Sequence, residues 1–191
     1  SLSLPGSSSA VDCFVSSWRS RNGSLGVVDV LTDTRLQLTV DNGTEIALVG
    51  GVFEDGLFDG NGAALNAQGA AFSISGSYFF RNRCAGTTLL PPQSGGAIYA
   101  RNSTIWISVS TFTKNRADLG GALYITARSY VDIHSTAFTS NTASSIKQAK
   151  GGAVFIGGSS SVRVTQSTFV DNLAFSTEQM ASMYEWHRSA L

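Results

Sequence analysis

The feature that most constrains this chain is an internal repeat. Residues 120–141 read GGALYITARSYVDIHSTAFTSN, and residues 95–115 and 151–172 carry the same order of Gly-Gly-Ala, short apolar segments and Phe-x-x-Asn. Five phenylalanines anchor the pattern at intervals of 26, 33, 26 and 31 residues: Phe53, Phe79, Phe112, Phe138 and Phe169. A period of this length is typical of solenoids, in which each repeat buries its apolar face against the next one.

The residues before each phenylalanine alternate with the period of a β-strand. Positions five and seven residues earlier are apolar in every repeat, as in Ile105 and Ile107 before Phe112, whereas the position between them varies. This alternation predicts half-buried strands and argues against a helical repeat. We therefore predict an all-β parallel β-helix, or β-solenoid, of about five coils with three short strands in each coil.

The repeat also predicts the limits of this domain. The pattern covers residues 46–172, which we assign to the parallel β-helix. Residues 1–45 contain apolar segments without the full motif and are expected to form an N-terminal cap or an irregular first coil. Residues 173–191 are expected to form a C-terminal cap or tail, and Ser176 followed by Gln179 predicts the start of a short helix there.

Two residue types recur at the predicted corners. Glycine tolerates positive φ and close approach of stacked backbones. The corner glycines are Gly95, Gly96, Gly120, Gly121, Gly151 and Gly152. Asparagine tolerates the left-handed conformation and can bond to the asparagine of the next coil, so the second corner is expected to carry a structural Asn ladder. Its members are Asn82, Asn115, Asn141 and Asn172.

Composition excludes several classes of partner. Charged residues make up 14% of the chain and its formal net charge is zero, so the basic patch that nucleic acids require is not expected. No apolar run approaches the roughly 20 residues of a membrane span, and we expect no membrane insertion by this chain. The spacing of the two cysteines does not resemble a metal site, and no cofactor is expected.

Cysteines and sequons both bear on localisation. Cys13 and Cys84 could form a disulfide that ties the cap to the coils, and two buried free thiols are the alternative. Three sequons mark candidate N-glycosylation sites at Asn22, Asn42 and Asn102. A disulfide and occupied sequons would both indicate an extracellular or cell-surface protein.

Aromatic residues and long connections are the candidate contact elements. Tyr99, Tyr124 and Phe155 share one repeat position and form either an exposed strip or part of the core. Trp106 and Tyr130 are the other candidate contact aromatics. The longest insertions lie between the Asn corner and the next glycines, at residues 83–94 and 142–150. They are expected either to contact a partner or to be solvent loops whose length varies without functional effect.

Catalysis is one function that the predicted fold allows, because parallel β-helices include polysaccharide-cleaving enzymes. A glycosidase needs two carboxylates at about 5–9.5 Å. Asp132 is the only acid at the outward position between the paired apolar residues, and its neighbours one repeat away are Trp106 and Arg163. His134 is expected to face solvent. Acids near turns are better explained by Asx turns, namely Asp55, Asp59, Asp118 and Asp171. No catalytic residue and no metal ligand is assigned.

The tandem pairing of Gly-Gly-Ala-[Ile/Leu/Val] with Phe-x-x-Asn resembles the repeats of the chlamydial polymorphic outer-membrane protein family. The matching segments are Gly95–Ile98, Gly120–Leu123, Gly151–Val154 and the tetrads that begin at Phe79, Phe112, Phe138 and Phe169. The resemblance covers roughly residues 60–172. It implies a right-handed parallel β-helix and a role in adhesion. Similar repeats occur in large surface proteins of algae and protists, so the resemblance is more specific for fold than for function.

These observations together predict a non-enzymatic extracellular module. Its expected role is structural or adhesive, and it could be a repeating part of a surface appendage or filament. The expected partners are a protein or glycan surface ligand, or neighbouring copies in an assembly. A polysaccharide lyase or glycoside hydrolase of the β-helix class is the alternative.

Overall fold

The computed structural model describes residues 26–29, 38–40, 43, 45–84, 92–146 and 148–177. All elements assigned in these residues are strands. The first ten are β1 (Gly26–Asp29), β2 (Leu38–Val40), β3 (Glu45–Val49), β4 (Val52–Glu54), β5 (Leu57–Phe58), β6 (Leu65–Gln68), β7 (Ala71–Ser75), β8 (Tyr78–Phe80), β9 (Arg83–Cys84) and β10 (Ile98–Arg101). The others are β11 (Thr104–Ser108), β12 (Thr111–Thr113), β13 (Arg116–Ala117), β14 (Leu123–Thr126), β15 (Tyr130–His134), β16 (Ala137–Thr139), β17 (Thr142–Ser145), β18 (Val154–Ile156), β19 (Ser161–Thr165), β20 (Thr168–Val170) and β21 (Leu173–Ser176).

The strands stack in parallel and confirm the predicted β-helix. The first sheet has the order β1-β3-β7-β11-β15-β19, and we call it sheet A. Three five-stranded sheets complete the described coils: sheet B (β18-β14-β10-β6-β2), sheet C (β20-β16-β12-β8-β4) and sheet D (β21-β17-β13-β9-β5). Each full coil therefore has four strands rather than the three expected from the sequence. The additional strand, in sheet D, follows the Asn corner and is only two to four residues long.

Strand pairing extends beyond residues 46–172 on both sides. β1 pairs in parallel with β3, and β2 pairs with β6. At the other end β21 pairs with β17, so a strand occupies residues 173–176 of the predicted cap or tail. The predicted C-terminal helix falls almost entirely on residues outside the described ranges. The described part of the chain contains no helix that is long and apolar enough to cross a membrane.

The core is a stack of identical or similar side chains. Ile105 and Ile107 of β11 are buried and pair in register with Val131 and Ile133 of β15. The five anchor phenylalanines stack face to face along the axis, with ring centroids 4.5–4.9 Å apart and interplanar angles of 1–7°. Because parallel in-register pairing repeats each apolar side chain above itself, every coil buries its neighbour's inward face.

A continuous ladder of asparagine amides lines the corner between sheets C and D. The Oδ1 atom of Asn141 accepts hydrogen bonds from the backbone N–H and the Nδ2 of Asn115, both at 3.0 Å. The Nδ2 of Asn141 donates to Oδ1 of Asn172 at 2.9 Å and to the carbonyl of Phe112 at 2.9 Å. Asn82 and Asn115 repeat this arrangement. Both amide protons and the carbonyl oxygen are therefore satisfied inside the protein, as buried polar groups require.

The left-handed residue at this corner is not the asparagine, contrary to the sequence interpretation. The residue immediately before it has φ of 55–56° in every coil. These residues are Asp55, Arg81, Lys114, Ser140 and Asp171. The turn therefore occurs one residue earlier, and this leaves the asparagine free to point its amide inward along the ladder.

Two ladders of hydroxyl groups stabilise two of the three other corners. Between sheets A and C the backbone N–H of Ser77 donates to Oγ of Ser110 at 3.1 Å, and the N–H of Thr136 donates to Oγ of Ser167 at 3.1 Å. Between sheets B and A the N–H of Ser103 donates to Oγ of Ser129 at 3.1 Å. The sequence carried a signal for the first ladder, because Ser or Thr stands two residues before four of the anchor phenylalanines.

The paired corner glycines are required for two separate reasons. Gly95, Gly120 and Gly151 have φ of 63–71°, which disfavours other residues. Gly121 does not have positive φ, but a Cβ atom there would overlap the carbonyl oxygen of Gly152 in the next coil. The first glycine therefore permits the turn, and the second permits close approach of successive coils.

Candidate functional site

On the outer face of sheet A, three successive coils contribute side chains in register. Trp106 lies at the centre of β11, opposite Asp132 of β15, and Asp132 is opposite Arg163 of β19. These residues alternate with the buried Ile105 and Ile107, so their side chains point away from the core. Trp106 is 44% exposed, so part of its large aromatic side chain is open to solvent.

Polar groups surround one side of this indole. Trp106, Ser108, Asp132, His134, Arg163 and Thr165 line a shallow, open depression of about 270 Å³, which we call the Trp106 depression. The Nδ1 atom of His134 lies 2.9 Å from Oγ1 of Thr165, and the Tyr130 hydroxyl donates to Oδ2 of Asp132 at 3.4 Å. The arrangement offers hydrogen-bond donors and acceptors beside an exposed aromatic surface.

The electrostatics of the Trp106 depression are nearly balanced. The guanidinium of Arg163 lies 4.0 Å from Oδ2 of Asp132. Both side chains are accessible to solvent, so this ion pair is weak and adds little to stability. The two opposite charges nevertheless offset each other locally, and the depression carries no strong field of either sign.

The second aromatic group lies on sheet B. Tyr99, Tyr124 and Phe155 alternate with the inward Ile98, Leu123 and Val154, so they face outward and are half-buried. Their rings stack on each other with centroids 5.5 and 5.0 Å apart. Burial raises the pKa of the Tyr99 hydroxyl. These rings form an outward ladder and are not part of the core. Because each ring stacks on its neighbour, little of the ring faces is open to a ligand.

Three of the four acidic side chains near the turns have structural partners. Asp55 forms an ion pair with Arg81 at 2.6 Å. Asp59 accepts a hydrogen bond from Nε2 of Gln93 at 2.8 Å, and Asp118 accepts one from the backbone N–H of Gln93 at 2.9 Å. Within the described ranges, no group of three or more His, Cys, Asp or Glu residues could hold a metal ion.

Cys84 is buried in the small cluster beneath sheet D. Its thiol is free and donates to the carbonyl of Gly95 at 3.2 Å. Desolvation by burial raises the pKa of Cys84 from 9.0 to about 12. No disulfide is found in the described part of the chain, and the predicted partner Cys13 lies outside it.

The remaining predicted positions are distributed along the rod. Asn102 is exposed in a turn with φ of 49°, whereas the sequons at Asn22 and Asn42 lie outside the described residues. The connections at the corner between sheets D and B begin with the short sheet D strands. Part of the longest connection, residues 85–91, lies outside the described ranges. Partner contact by these loops stays a prediction.

The sequence predicts Trp106 and Tyr130 as contact aromatics and places Trp106 and Arg163 one repeat away from Asp132, but it does not predict the depression. His134, Arg163 and Thr165 come from two later coils, and they meet Trp106 because the coils stack in register. The side-chain geometry that opens the depression required the structure.

Comparison with known proteins supports the repeat assignment. No curated protein and no solved structure shows significant similarity to the chain. Residues 109–126, which run from the turn before β12 to the end of β14, match the model of the Chlamydia polymorphic membrane protein (Chlamydia_PMP) repeat. This match confirms the resemblance inferred from the paired motifs, and the chain therefore contains a segment similar to the repeat of that surface-protein family.

Proposed function

We propose that this protein is an extracellular β-helix module with an adhesive or structural role at a cell surface. The observation that carries the proposal is the match of residues 109–126 to the repeat of a membrane-protein family. The architecture supports it, because amide, hydroxyl and phenylalanine ladders run through successive coils and give a stiff scaffold for presenting side chains. An exposed sheet face with Trp106 at its centre is suited to contact with another surface.

The proposed module is not an enzyme. The nearest charged neighbour of Asp132 on the outer face of sheet A is Arg163, rather than a second carboxylate. Three of the described acids near the corners, Asp55, Asp59 and Asp118, bond to the backbone or to neighbouring side chains, which accounts for their positions. Cleavage of polysaccharides remains the alternative to be tested, since the fold class accommodates it.

Assembly into a filament is a second candidate role. At the C-terminal end of the described coils, Val164 and Phe169 occupy inward positions but are 45% and 46% exposed. Among the described strands, β18, β19, β20 and β21 each pair on one side only, and stacking on another coil would pair their second side. Analytical ultracentrifugation of the full chain distinguishes a single rod from a polymer whose size increases with concentration.

Antibody labelling of intact cells tests the proposed location. Antibodies raised against the purified chain should label unpermeabilised source cells, and brief external protease treatment should remove the signal. Labelling that requires permeabilisation would contradict the proposal. Incubation of the chain with neutral and acidic polysaccharides should release no new reducing ends or unsaturated products; sustained turnover would establish the enzymatic alternative.

A further inference from the structure

We propose that the Trp106 depression binds a neutral pyranose-based glycan. The indole of Trp106 would stack on the apolar C–H face of one sugar ring, while Asp132 and Arg163 would hydrogen-bond to its hydroxyl groups. The inference rests on the proposed surface role and deepens it, because it names the site of contact and the chemical class of ligand.

The indole of Trp106 is available for stacking. Trp106 is 44% exposed, and its neighbour in register on β7 is Ser73, whose side chain is much smaller than an indole. None of the described aromatic rings stacks on Trp106, whereas Tyr99 and Tyr124 contact each other face to face. Aromatic side chains contribute large contact areas with little loss of conformational freedom, so an open indole on a rigid sheet is preorganised for a flat ligand.

Asp132 and Arg163 provide a paired acceptor and donor beside the ring. They lie opposite each other on adjacent strands, whose separation of about 4.8 Å is close to the length of one pyranose unit. The contacts of Asp132 with Tyr130 and Arg163 are long, at 3.4 and 4.0 Å, and both involve Oδ2. Among the described side chains none bonds to Oδ1, so the carboxylate retains acceptor capacity for a sugar hydroxyl.

The charge balance favours a neutral sugar over an acidic one. Arg163 would attract a uronate or sulfate group, but Asp132 would repel it at similar distance. Adjacent hydroxyl groups of a neutral sugar can instead donate to the carboxylate and accept from the guanidinium at the same time. His134, held by its contact with Thr165, forms a polar wall at one edge of the depression.

The surface beyond Trp106 can accommodate further sugar units. On the side away from Asp132 the same row continues through Ser73 to Ala47, and both side chains are small. A chain of sugars could therefore extend across the strands, parallel to the rod axis, without meeting a bulky residue. This geometry favours an oligosaccharide over a compact small molecule.

Titration by two-dimensional NMR tests the proposal. The probes are the neutral tetrasaccharides cellotetraose, maltotetraose and mannotetraose, with trigalacturonate as the acidic comparison. We expect at least one neutral probe to shift the indole resonance of Trp106, with a dissociation constant on the order of 1 mM. Trp106→Ala should weaken binding at least tenfold, as followed by the backbone amides of Asp132 and Arg163. Tyr124→Ala, which alters the aromatic ladder on sheet B, should leave binding unchanged.

Several outcomes would overturn the inference. They are no shift with any neutral probe at about 20 mM, equal or tighter binding of trigalacturonate, or unchanged binding in the Trp106→Ala variant. Trp106→Tyr retains an aromatic ring and should keep measurable binding, so it serves as a second test if Trp106→Ala does not fold. Surface labelling without glycan binding would refute this inference alone. Glycan binding without surface labelling would refute the proposed location alone.

Discussion

The side-chain amide of Asn141 donates to the backbone carbonyl of Phe112, which lies one coil earlier in the stack, at 2.9 Å. This bond joins the two repeated motifs of the chain, because the phenylalanine is a core residue and the asparagine is a corner residue. The same relationship holds between Asn115 and Phe79 and between Asn172 and Phe138. Each corner is therefore bonded to the coil before it as well as to the coil after it.

Replacing Asn141 with alanine should destabilise the rod strongly. The substitution leaves the N–H of Asn115 and the carbonyl of Phe112 without their buried partner, and each such group costs about 1–3 kcal/mol. We expect a loss of about 3 kcal/mol, measured by urea unfolding. Asn66→Ala is the control, because Asn66 accepts only one exposed hydrogen bond, from Gln68. Equal unfolding midpoints for the two variants would show that the ladder does not stabilise the fold.

The corner glycines should differ from other glycines in their response to alanine. Gly121→Ala places a Cβ atom on the carbonyl of Gly152, and relief of this overlap requires two coils to separate. We expect a cost of about 3 kcal/mol or more. Gly76→Ala is the comparison, since Gly76 has φ of 58° but its nearest atom is the backbone nitrogen of Gly50 at 4.0 Å. Its cost should be about 1 kcal/mol, from backbone strain alone.

Thermal unfolding followed by circular dichroism measures this difference. The midpoint of Gly121→Ala should lie well below that of Gly76→Ala. If Gly76→Ala were the more damaging substitution, positive φ rather than coil spacing would be the main requirement for glycine at these corners.

Val109 should be a site where glycine stabilises the protein. It has φ of 49° although it is β-branched, and its side chain is 65% exposed, so little burial is lost on removing it. The equivalent positions in two other coils are Gly50 and Gly76, both with positive φ. Val109→Gly should raise the free energy of unfolding by about 1 kcal/mol, because the relief of left-handed strain exceeds the added entropy of the unfolded chain.

Val49→Gly is the matched control for this substitution. Val49 has similar exposure but lies in the regular strand β3, where glycine weakens pairing. Chemical denaturation should therefore show opposite changes for the two variants. A destabilised Val109→Gly protein would indicate that the valine makes contacts that outweigh its backbone strain.

The core and corners were predictable wherever identical residues recur at one repeat position. Regular spacing predicted the roles of the anchor phenylalanines, such as Phe112 and Phe138, and of the paired glycines and the asparagines. The left-handed turn was placed one residue too late, because that position is occupied by unlike residues such as Asp55, Lys114 and Ser140. The stacked coils impose the positive φ at that position, so the type of residue found there does not predict it.

The fourth strand and the depression were missed for different reasons. The strand in sheet D is as short as Arg116–Ala117 and has no measurable alternation of its own. It forms because neighbouring coils supply hydrogen-bond partners. The sequence places Trp106, Asp132 and Arg163 at one outward position of successive repeats. The opening between their side chains, and the contribution of His134 and Thr165 to it, depend on side-chain geometry and could not be predicted.

The buried thiol of Cys84 predicts both slow alkylation and a loss of stability in alkali. Its raised pKa of about 12 means that the reactive thiolate is about 10³-fold rarer at pH 8 than for a thiol with the ordinary value of 9.0. The folded native protein should therefore resist iodoacetamide, whereas denaturation without reductant should expose the thiol to rapid modification. Rapid alkylation of Cys84 in the native state would show that the site opens to solvent.

The pH dependence follows from the same burial. The pKa of Cys84 is higher in the folded state than in the unfolded state. Below about pH 9 both states keep the proton, so the contribution of this thiol to stability is fully present there. As pH rises from 9.0 towards 12, the unfolded chain loses the proton first and stability falls by up to about 1.4 kcal/mol per pH unit. Cys84→Ala should remove this component, and the variant should fold because Ala117 and Ala143 occupy the equivalent buried position in the next two coils. Urea unfolding of both proteins at pH 8 and pH 10.5 measures how much stability each loses in alkali. Comparing the two losses cancels the titration of Tyr99, because both proteins contain it. Identical pH dependence of the two proteins would place the Cys84 thiol in contact with water.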